Sequence, residues 1–187
     1  MTKRTNVRII SYIVTLLAIL IVSVLINIRD VNNYKNQLEL NYQQSLTELS
    51  ECLDVINTDL TKTLYSNSSG EIYDLSRDLY AQCATAKNAI SRLPVSQMEL
   101  ENAYRFLSQS GDYAQYVGGK IEAGEEITAN EHKNLYVLLG YAQKFSDAAS
   151  DMVKIVEAGG KITNGEVSNT KEINVSALSN SFSVSAT

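Results

Sequence analysis

The apolar positions of this chain follow a helical spacing over most of its length, and one segment is apolar on every side. That segment runs from Ile9 to Ile28 without a charged residue. A helix of about 20 residues reaches about 30 Å, the thickness of a bilayer's hydrocarbon core. No Ala-x-Ala cleavage site follows the segment, so a signal peptide is disfavoured. The pattern predicts a retained transmembrane anchor at residues 9–28.

Four later segments carry an apolar residue at every third or fourth position, which is typical of amphipathic helices. The first covers residues 31–64 and continues from the anchor without a break. We assign its whole apolar stripe, which begins with Val31, Tyr34 and Leu38, to the interior of a bundle. The second covers residues 72–93, and Pro94 stops it because proline disfavours helical geometry in the residue before it.

The third and fourth helices have start signals in the sequence. Residues 96–99 and residues 128–131 each have the form of a capping box, in which a hydroxyl and a carboxylate bind the first backbone N–H groups. Gly159 follows the last apolar position of the fourth helix, and we expect it to adopt a left-handed conformation there.

The apolar positions also match across two antiparallel hairpins. Opposed residues in such a hairpin have numbers that add to a constant, and the apolar residues of helices one and two satisfy this rule with a turn at 67–70. Helices three and four satisfy it with a turn at 124–126. The pairs expected in the second hairpin include Tyr104 with Phe145 and Gly111 with Leu138. The predicted fold is all-α, an up-down-up-down four-helix bundle after a single transmembrane helix.

Charge and composition give the domains an orientation. Residues 1–8 contain only basic charges, at Lys3, Arg4 and Arg8, so we expect the N-terminus in the cytoplasm. We then expect residues 29–162 to form an extracytoplasmic helical bundle. Residues 163–187 are rich in Ser and Asn and are predicted to be a flexible tail or linker. The exterior part is acidic, which argues against nucleic acid as a partner.

Catalytic chemistry has little support in the residue pattern. The chain has one histidine, His132, and therefore no convincing Ser-His or Cys-His pair. Two cysteines without nearby histidine do not make a zinc site. The acidic residues are spread along helix surfaces. We interpret the chain as a protein that is not an enzyme and needs no metal or cofactor.

Cys52 and Cys83 fall at the same level of the first hairpin, by the same matching rule. Disulfides can form in an exterior compartment, but a bond needs Cα atoms closer than helix axes usually come. Two readings therefore stay open, a disulfide between Cys52 and Cys83 or two small buried thiols.

Tyrosine is the most suggestive residue type, with 11 tyrosines against 3 phenylalanines. Amphipathic aromatic side chains are enriched at protein interfaces. Gly111 and Gly118, seven residues apart on one helix, would allow close approach of another helix or a local distortion. We therefore name Gly111, Asp112, Tyr113 and Tyr116 as a candidate interaction surface.

Four strings carry a family resemblance. They are residues 41–49 (NYQQSLTEL), 91–94 (SRLP), 107–114 (LSQSGDYA) and 131–135 (EHKNL). Their order, their spacing and the preceding anchor resemble the N-terminal region of the spore germination protein YpeB family. The resemblance covers about residues 10–162, and the Gly-Asp-Tyr segment is its most specific part.

The resemblance implies a bacterial spore protein attached to the inner membrane that is not an enzyme. It implies action with a spore cortex-lytic enzyme, which cleaves peptidoglycan, and support of that partner's accumulation and control. The family carries PepSY repeats after the helical region, whereas this sequence reaches Thr187 after the polar tail. A fragment and a shortened relative are both compatible with this difference.

Two functional hypotheses follow. The first is a membrane-anchored, non-catalytic accessory protein that binds, stabilises or localises a cortex-lytic enzyme. The alternative is an extracytoplasmic helical sensor domain that binds a small ligand. Only eight residues precede Ile9, so we expect such a sensor to signal with a partner.

Overall fold

The computed structural model describes residues 3–94 and 100–167, and describes side chains from Tyr12 onward. Its elements are four α-helices, α1 (Lys3–Tyr65), α2 (Ser69–Ser91), α3 (Glu101–Glu122) and α4 (Ala129–Glu157), followed by a short 3-10 helix, Ile162–Asn164. No strand occurs among the described residues. The all-α fold predicted from the hydrophobic spacing is therefore confirmed. The predicted capping box at residues 96–99 lies outside the described residues.

The chain divides into two structural units, Met1–Leu40 and Asn41–Thr187. The first unit consists of the N-terminal part of α1. An 18-residue window of α1 has a mean hydropathy of 2.3 and no buried residue. By length and composition α1 is thus a candidate membrane span, as the uncharged run from Ile9 to Ile28 predicted.

The first unit also corrects one expectation about the apolar stripe of α1. Val31, Tyr34 and Leu38, which the helical spacing assigns to the bundle interior, are 54%, 74% and 44% exposed. Burial along the same stripe begins only in the second unit, where Leu46 and Leu49 are almost fully covered. Periodicity marks a face as apolar, but whether another helix covers it depends on where the neighbouring helices begin and end.

The second unit is a bundle in which each helix contacts the next along the chain. Arg92, just after α2, forms an ion pair with Glu48 of α1, and Cys83 of α2 lies against Gly111 of α3. Ser146 of α4 donates a hydrogen bond to the Asp54 carboxylate of α1, so α4 also contacts α1. The contacts match the up-down-up-down order.

The core of the bundle is built from the helix positions that the periodicity selected. Its largest fully buried side chains come from all four helices: Leu46, Leu49, Leu53, Ile56, Leu60, Leu79, Ile90, Phe106, Leu107, Leu135 and Leu138. Fully burying each side chain of this kind contributes about 1.5–3 kcal/mol to stability.

The α3–α4 contact differs from the expected pairing by two residues on α3. The ring that stacks on Phe145 is Phe106, with ring centroids 5.0 Å apart, whereas the predicted partner, Tyr104, is 48% exposed. Phe106 was not identified from the sequence. Matching of residue numbers fixes the level of two helices but not the rotation of each about its own axis.

The ends of α4 follow the predicted signals. At its start, the Thr128 side chain accepts a hydrogen bond from the Glu131 N–H while the Glu131 carboxylate accepts one from the Thr128 N–H. At its end, Gly159 has a φ of 96°, and the N–H of Gly160 donates to the Ile155 carbonyl at 2.9 Å. This is a Schellman ending, which requires the left-handed conformation that glycine adopts without strain.

The chain continues to pack after α4. Ile162 and Val167 are each 1% exposed, and residues 162–164 form the short 3-10 helix. Ordered packing therefore extends to Val167, five residues past the boundary expected at 162. The rest of the predicted tail, residues 168–187, lies outside the described residues.

Candidate functional site

Helices α2 and α3 approach each other closely because α3 presents glycine to α2. A Cβ atom added at Gly111 would lie 3.3 Å from the Cys83 Cβ, and one added at Gly118 would lie 3.4 Å from the Ser76 Cβ. Both distances are at or below ordinary van der Waals contact between carbon atoms. The close helix approach that the two glycines allow is therefore present, and the helix that approaches α3 is α2.

The shortage of side chains at this contact leaves a groove of ≈ 330 Å³ along the bundle surface. Tyr73 and Tyr80 line it from α2, with Arg77 between them. Its α3 side is lined by Ala114, Gln115, Gly118, Gly119 and Glu122. Aromatic walls with a few polar groups are the usual lining of a small-molecule site.

Next to the groove, α3 presents a solvent-facing surface that we call the outer face of α3. It consists of Asp112, Gln115, Tyr116 and Gly119, which share one side of the helix at positions i, i+3, i+4 and i+7, and all four are exposed. The surface combines a carboxylate, an amide and a phenol around a bare glycine, so it offers polar groups and an accessible ring to a partner.

The four residues of the predicted interaction surface do not share one environment. Asp112 and Tyr116 lie on the outer face of α3. Gly111 is buried against Cys83, and Tyr113 is only 5% exposed, with its hydroxyl donating to the Glu131 carbonyl at 3.1 Å. A partner on this side of the bundle would meet Asp112 and Tyr116, while Gly111 and Tyr113 shape the helix behind them.

Tyr116 is held in place by Glu131, which is 7% exposed. The Tyr116 hydroxyl donates to Glu131 Oε1 at 2.7 Å. Lys120 Nζ donates to both carboxylate oxygens at 2.8 Å. The Thr128 N–H and hydroxyl donate to Oε2 at 2.6 and 2.8 Å. We call these four side chains the Glu131 cluster; it ties α3 to the start of α4.

The charges of this cluster compensate one another. Burial by itself raises the pKa of Glu131, but the hydrogen bonds from Lys120, Thr128 and Tyr116 outweigh it and lower the pKa to about 2. The same hydrogen bonds raise the pKa of Lys120 and of Tyr116. Glu131 is therefore ionised and fully paired at neutral pH. Such a carboxylate positions its neighbours and is poorly suited to accept a proton from a substrate.

The sequence contained only part of this cluster. The spacing Thr128-x-x-Glu131 was a visible capping signal, whereas Lys120 and Tyr116 lie on another helix and reach Glu131 only after α3 and α4 pack. The sequence distance between a capping glutamate and a lysine on the preceding helix is not fixed, so no local pattern predicts this ion pair.

Cys52 and Cys83 are free thiols in the structure and both are buried. Burial raises the pKa of the Cys52 thiol, and raises that of Cys83 to about 12. A thiol that stays protonated is a weak nucleophile. The disulfide between the two residues stays a prediction, which a count of free thiols in the purified protein would test.

His132 is exposed in the first turn of α4. Within the part of the chain that the structure describes, no group of three or more His, Cys, Asp or Glu side chains is arranged to hold a metal ion.

Comparison with known proteins places these features in a family. A family model described as YpeB N-terminal matches residues 30–164. The match covers α1 from its exposed stripe onward, the remaining helices and the 3-10 helix. No curated protein and no solved structure matches the chain.

Proposed function

The chain belongs to the YpeB N-terminal family, and from this membership we propose that it is a non-catalytic accessory protein of spore germination. In this proposal it binds, stabilises or localises a spore cortex-lytic enzyme, a peptidoglycan hydrolase, outside the membrane. The observation that carries the proposal is the family match, which covers residues 30–164.

The proposed location is the inner membrane of the spore, with the N-terminus in the cytoplasm and the bundle outside. The candidate span in α1 supports the attachment. The basic residues Lys3, Arg4 and Arg8 support the orientation, because cytoplasmic flanks of spans carry an excess of Lys and Arg.

The proposed docking surface is the outer face of α3. Its two predicted residues, Asp112 and Tyr116, are exposed, and Tyr116 is oriented by its hydrogen bond to Glu131. An aromatic ring held in one position gives a partner contact area at a low entropic cost, and tyrosine is enriched among residues that dominate binding energies.

Recovery of the hydrolase from detergent-solubilised spore membranes tests the proposal. We expect wild-type protein to retain a cortex-lytic enzyme, and Asp112→Lys to reduce the recovered amount. Asp147→Lys is the matched control, since it makes the same charge change at an exposed position of α4. Absence of any hydrolase with the wild-type protein, together with normal hydrolase levels in spores lacking it, would refute the proposed function.

The groove between α2 and α3 favours a second candidate function, that of an extracytoplasmic sensor domain for a small ligand. Its volume of ≈ 330 Å³ lies at the lower end of known small-molecule sites, and its tyrosines and Arg77 could hold a compact polar molecule. Thermal-shift screening against germinants distinguishes this function, because a ligand that binds only the folded protein raises its melting temperature. Arg77→Ala should abolish such a shift.

A further inference from the structure

An apolar stripe of α1 is exposed within the first structural unit. Val31, Tyr34 and Leu38 are 54%, 74% and 44% exposed, and all belong to the unit Met1–Leu40. Together with Asn27 they follow the spacing 4, 3, 4, which places the four side chains on one face of the helix. We call this face the juxtamembrane stripe.

The rest of the helix surface at this level is polar. Asn32, Asn33 and Asn36 occupy the opposite positions and are exposed. A helix segment that lies in lipid is apolar on all sides. The segment at 31–38 therefore has the pattern of a helix that lies in water and covers one side against another helix.

The charged residues of the segment are placed to pair with a second copy of the same helix. With Val31 and Leu38 as a positions and Tyr34 as a d position, Asp30 falls at g and Lys35 at the following e. In a parallel two-helix coiled coil, a g residue faces the e residue of the partner that is five positions further along. Asp30 of each copy would thus face Lys35 of the other, and the twofold symmetry would form this pair twice.

Asn27 extends the same stripe into the last turn of the predicted span. One of its Nδ2 hydrogens is donated to the Ser23 carbonyl at 2.9 Å. The second hydrogen and the amide oxygen are the groups that could reach a neighbouring helix. Asparagine side chains hydrogen-bond between helices in membranes.

We propose that residues 27–38 form a parallel two-helix contact with a second copy of this chain. The two copies are parallel because each is inserted through its own α1 with the same orientation, so the inference rests on the membrane anchor of the proposed function. It does not depend on the hydrolase. Equal insertion depth brings Asn27 opposite Asn27 and places both Asp30–Lys35 pairs at the same level.

Cysteine cross-linking of the full chain in its membrane tests this contact. Single cysteines at Val31→Cys and Tyr34→Cys, in a Cys52→Ala and Cys83→Ala background, should give a disulfide-linked dimer on mild oxidation. Asn33→Cys and Asn36→Cys are matched controls at the same distance from the membrane. We expect several-fold less dimer from these controls, because their side chains face away from the stripe.

Charge exchange examines the register. Starting from Tyr34→Cys, Asp30→Lys should lower the dimer yield by placing two lysines together, and Lys35→Asp should lower it by placing two aspartates together. The double change Asp30→Lys with Lys35→Asp should restore it. Asn27→Val should weaken the association by about three- to tenfold.

Equal cross-linking at all four positions, or none at any, would overturn the proposal. If the cysteine-free background fails to fold, fluorescence energy transfer between wild-type copies carrying fluorescent fusions decides the same question in nanodiscs. Only monomers over the full range of protein-to-lipid ratios would then refute the contact, and transfer that Asn27→Val lowers would support it. Neither result alters the interpretation of the hydrolase recovery experiment.

Discussion

Helix α3 contacts its two neighbours by opposite means. Against α2 it presents Gly111 and Gly118, and the absence of side chains allows the two helices to come close. Against α4 it presents the Phe106 ring, which stacks on Phe145, and the Tyr116 hydroxyl, which donates to Glu131. One contact should therefore be sensitive to added atoms and the other to removed atoms. Side-chain substitutions on α3 can test this difference directly.

The largest effect is expected from Phe106→Ala. Phe106 is fully buried and stacks on Phe145, so its removal leaves a cavity and loses apolar burial at a cost of about 3–5 kcal/mol. Urea denaturation followed by circular dichroism measures the free energy of unfolding. The control, Tyr104→Ala, removes a ring that is 48% exposed on the same helix, and we expect it to cost less than about 1 kcal/mol. Equal costs would contradict the observed rotation of α3.

The next effect is expected from adding atoms, with Gly111→Leu. The new Cβ would lie 3.3 Å from the Cys83 Cβ before the rest of the leucine is placed, so α2 and α3 must separate. Overpacking of this kind costs about 1–3 kcal/mol. Gly140→Leu is the matched control, because a Cβ atom added there meets no atom within 4 Å. Leucine favours the helix over glycine by at most about 1 kcal/mol.

The two glycine variants should thus change the unfolding free energy in opposite directions. If Gly111→Leu were as stable as Gly140→Leu, the close contact with α2 would not exist in solution. The groove would then also lose its basis, because Gly118 and Gly119 form its lining on the same helix.

A smaller and pH-dependent effect is expected from Glu131→Gln, about 1–2 kcal/mol at pH 7. The folded protein lowers the pKa of Glu131 from 4.5 to about 2. The carboxylate therefore adds stability that is complete above about pH 5 and is lost as the pH falls through 4.5 toward 2. Urea denaturation of both proteins at several pH values should show their difference shrinking toward acid pH.

An exposed glutamate near the same cluster provides the control. Glu126→Gln removes the same charge from an exposed position and should leave stability within about 0.5 kcal/mol at each pH. A difference between wild-type protein and Glu131→Gln that stays constant from pH 7 to pH 3 would contradict an ionised, hydrogen-bonded Glu131.

The contrast between the two sides of α3 also shows how far the sequence could be interpreted. The helices, their order and the start and end of α4 follow from local signals, namely apolar spacing, Thr128-x-x-Glu131 and Gly159. Which side of α3 contacts α2 and which contacts α4 does not follow from these signals, because a helix can rotate about its axis without changing the spacing of its apolar residues. Hence Gly111 was expected opposite Leu138 but packs on α2, and Phe106 takes the place expected for Tyr104.

The candidate site was predictable to a similar extent. The Gly-Asp-Tyr segment lies on α3, and Asp112 and Tyr116 are exposed there. Their contact with a partner stays a prediction. Lys120 was missed, because its importance comes from a carboxylate on another helix. Likewise, the helical spacing marks Val31, Tyr34 and Leu38 as apolar, but spacing does not show that these side chains are exposed.

The smallest effect is expected from Tyr116→Phe, about 0.5–1 kcal/mol. The variant keeps the ring and removes only the hydroxyl that donates to Glu131 Oε1 at 2.7 Å. Lys120 and Thr128 still bind the carboxylate, so most of its stabilisation persists. Tyr136→Phe, at a ring that is 68% exposed on α4, should change nothing measurable. The same variant also tests the docking surface. Because the hydroxyl orients the ring on the outer face of α3, Tyr116→Phe should reduce the amount of hydrolase recovered from spore membranes by more than its small stability loss explains. Unchanged recovery would show that Tyr116 contributes to the α3–α4 contact alone.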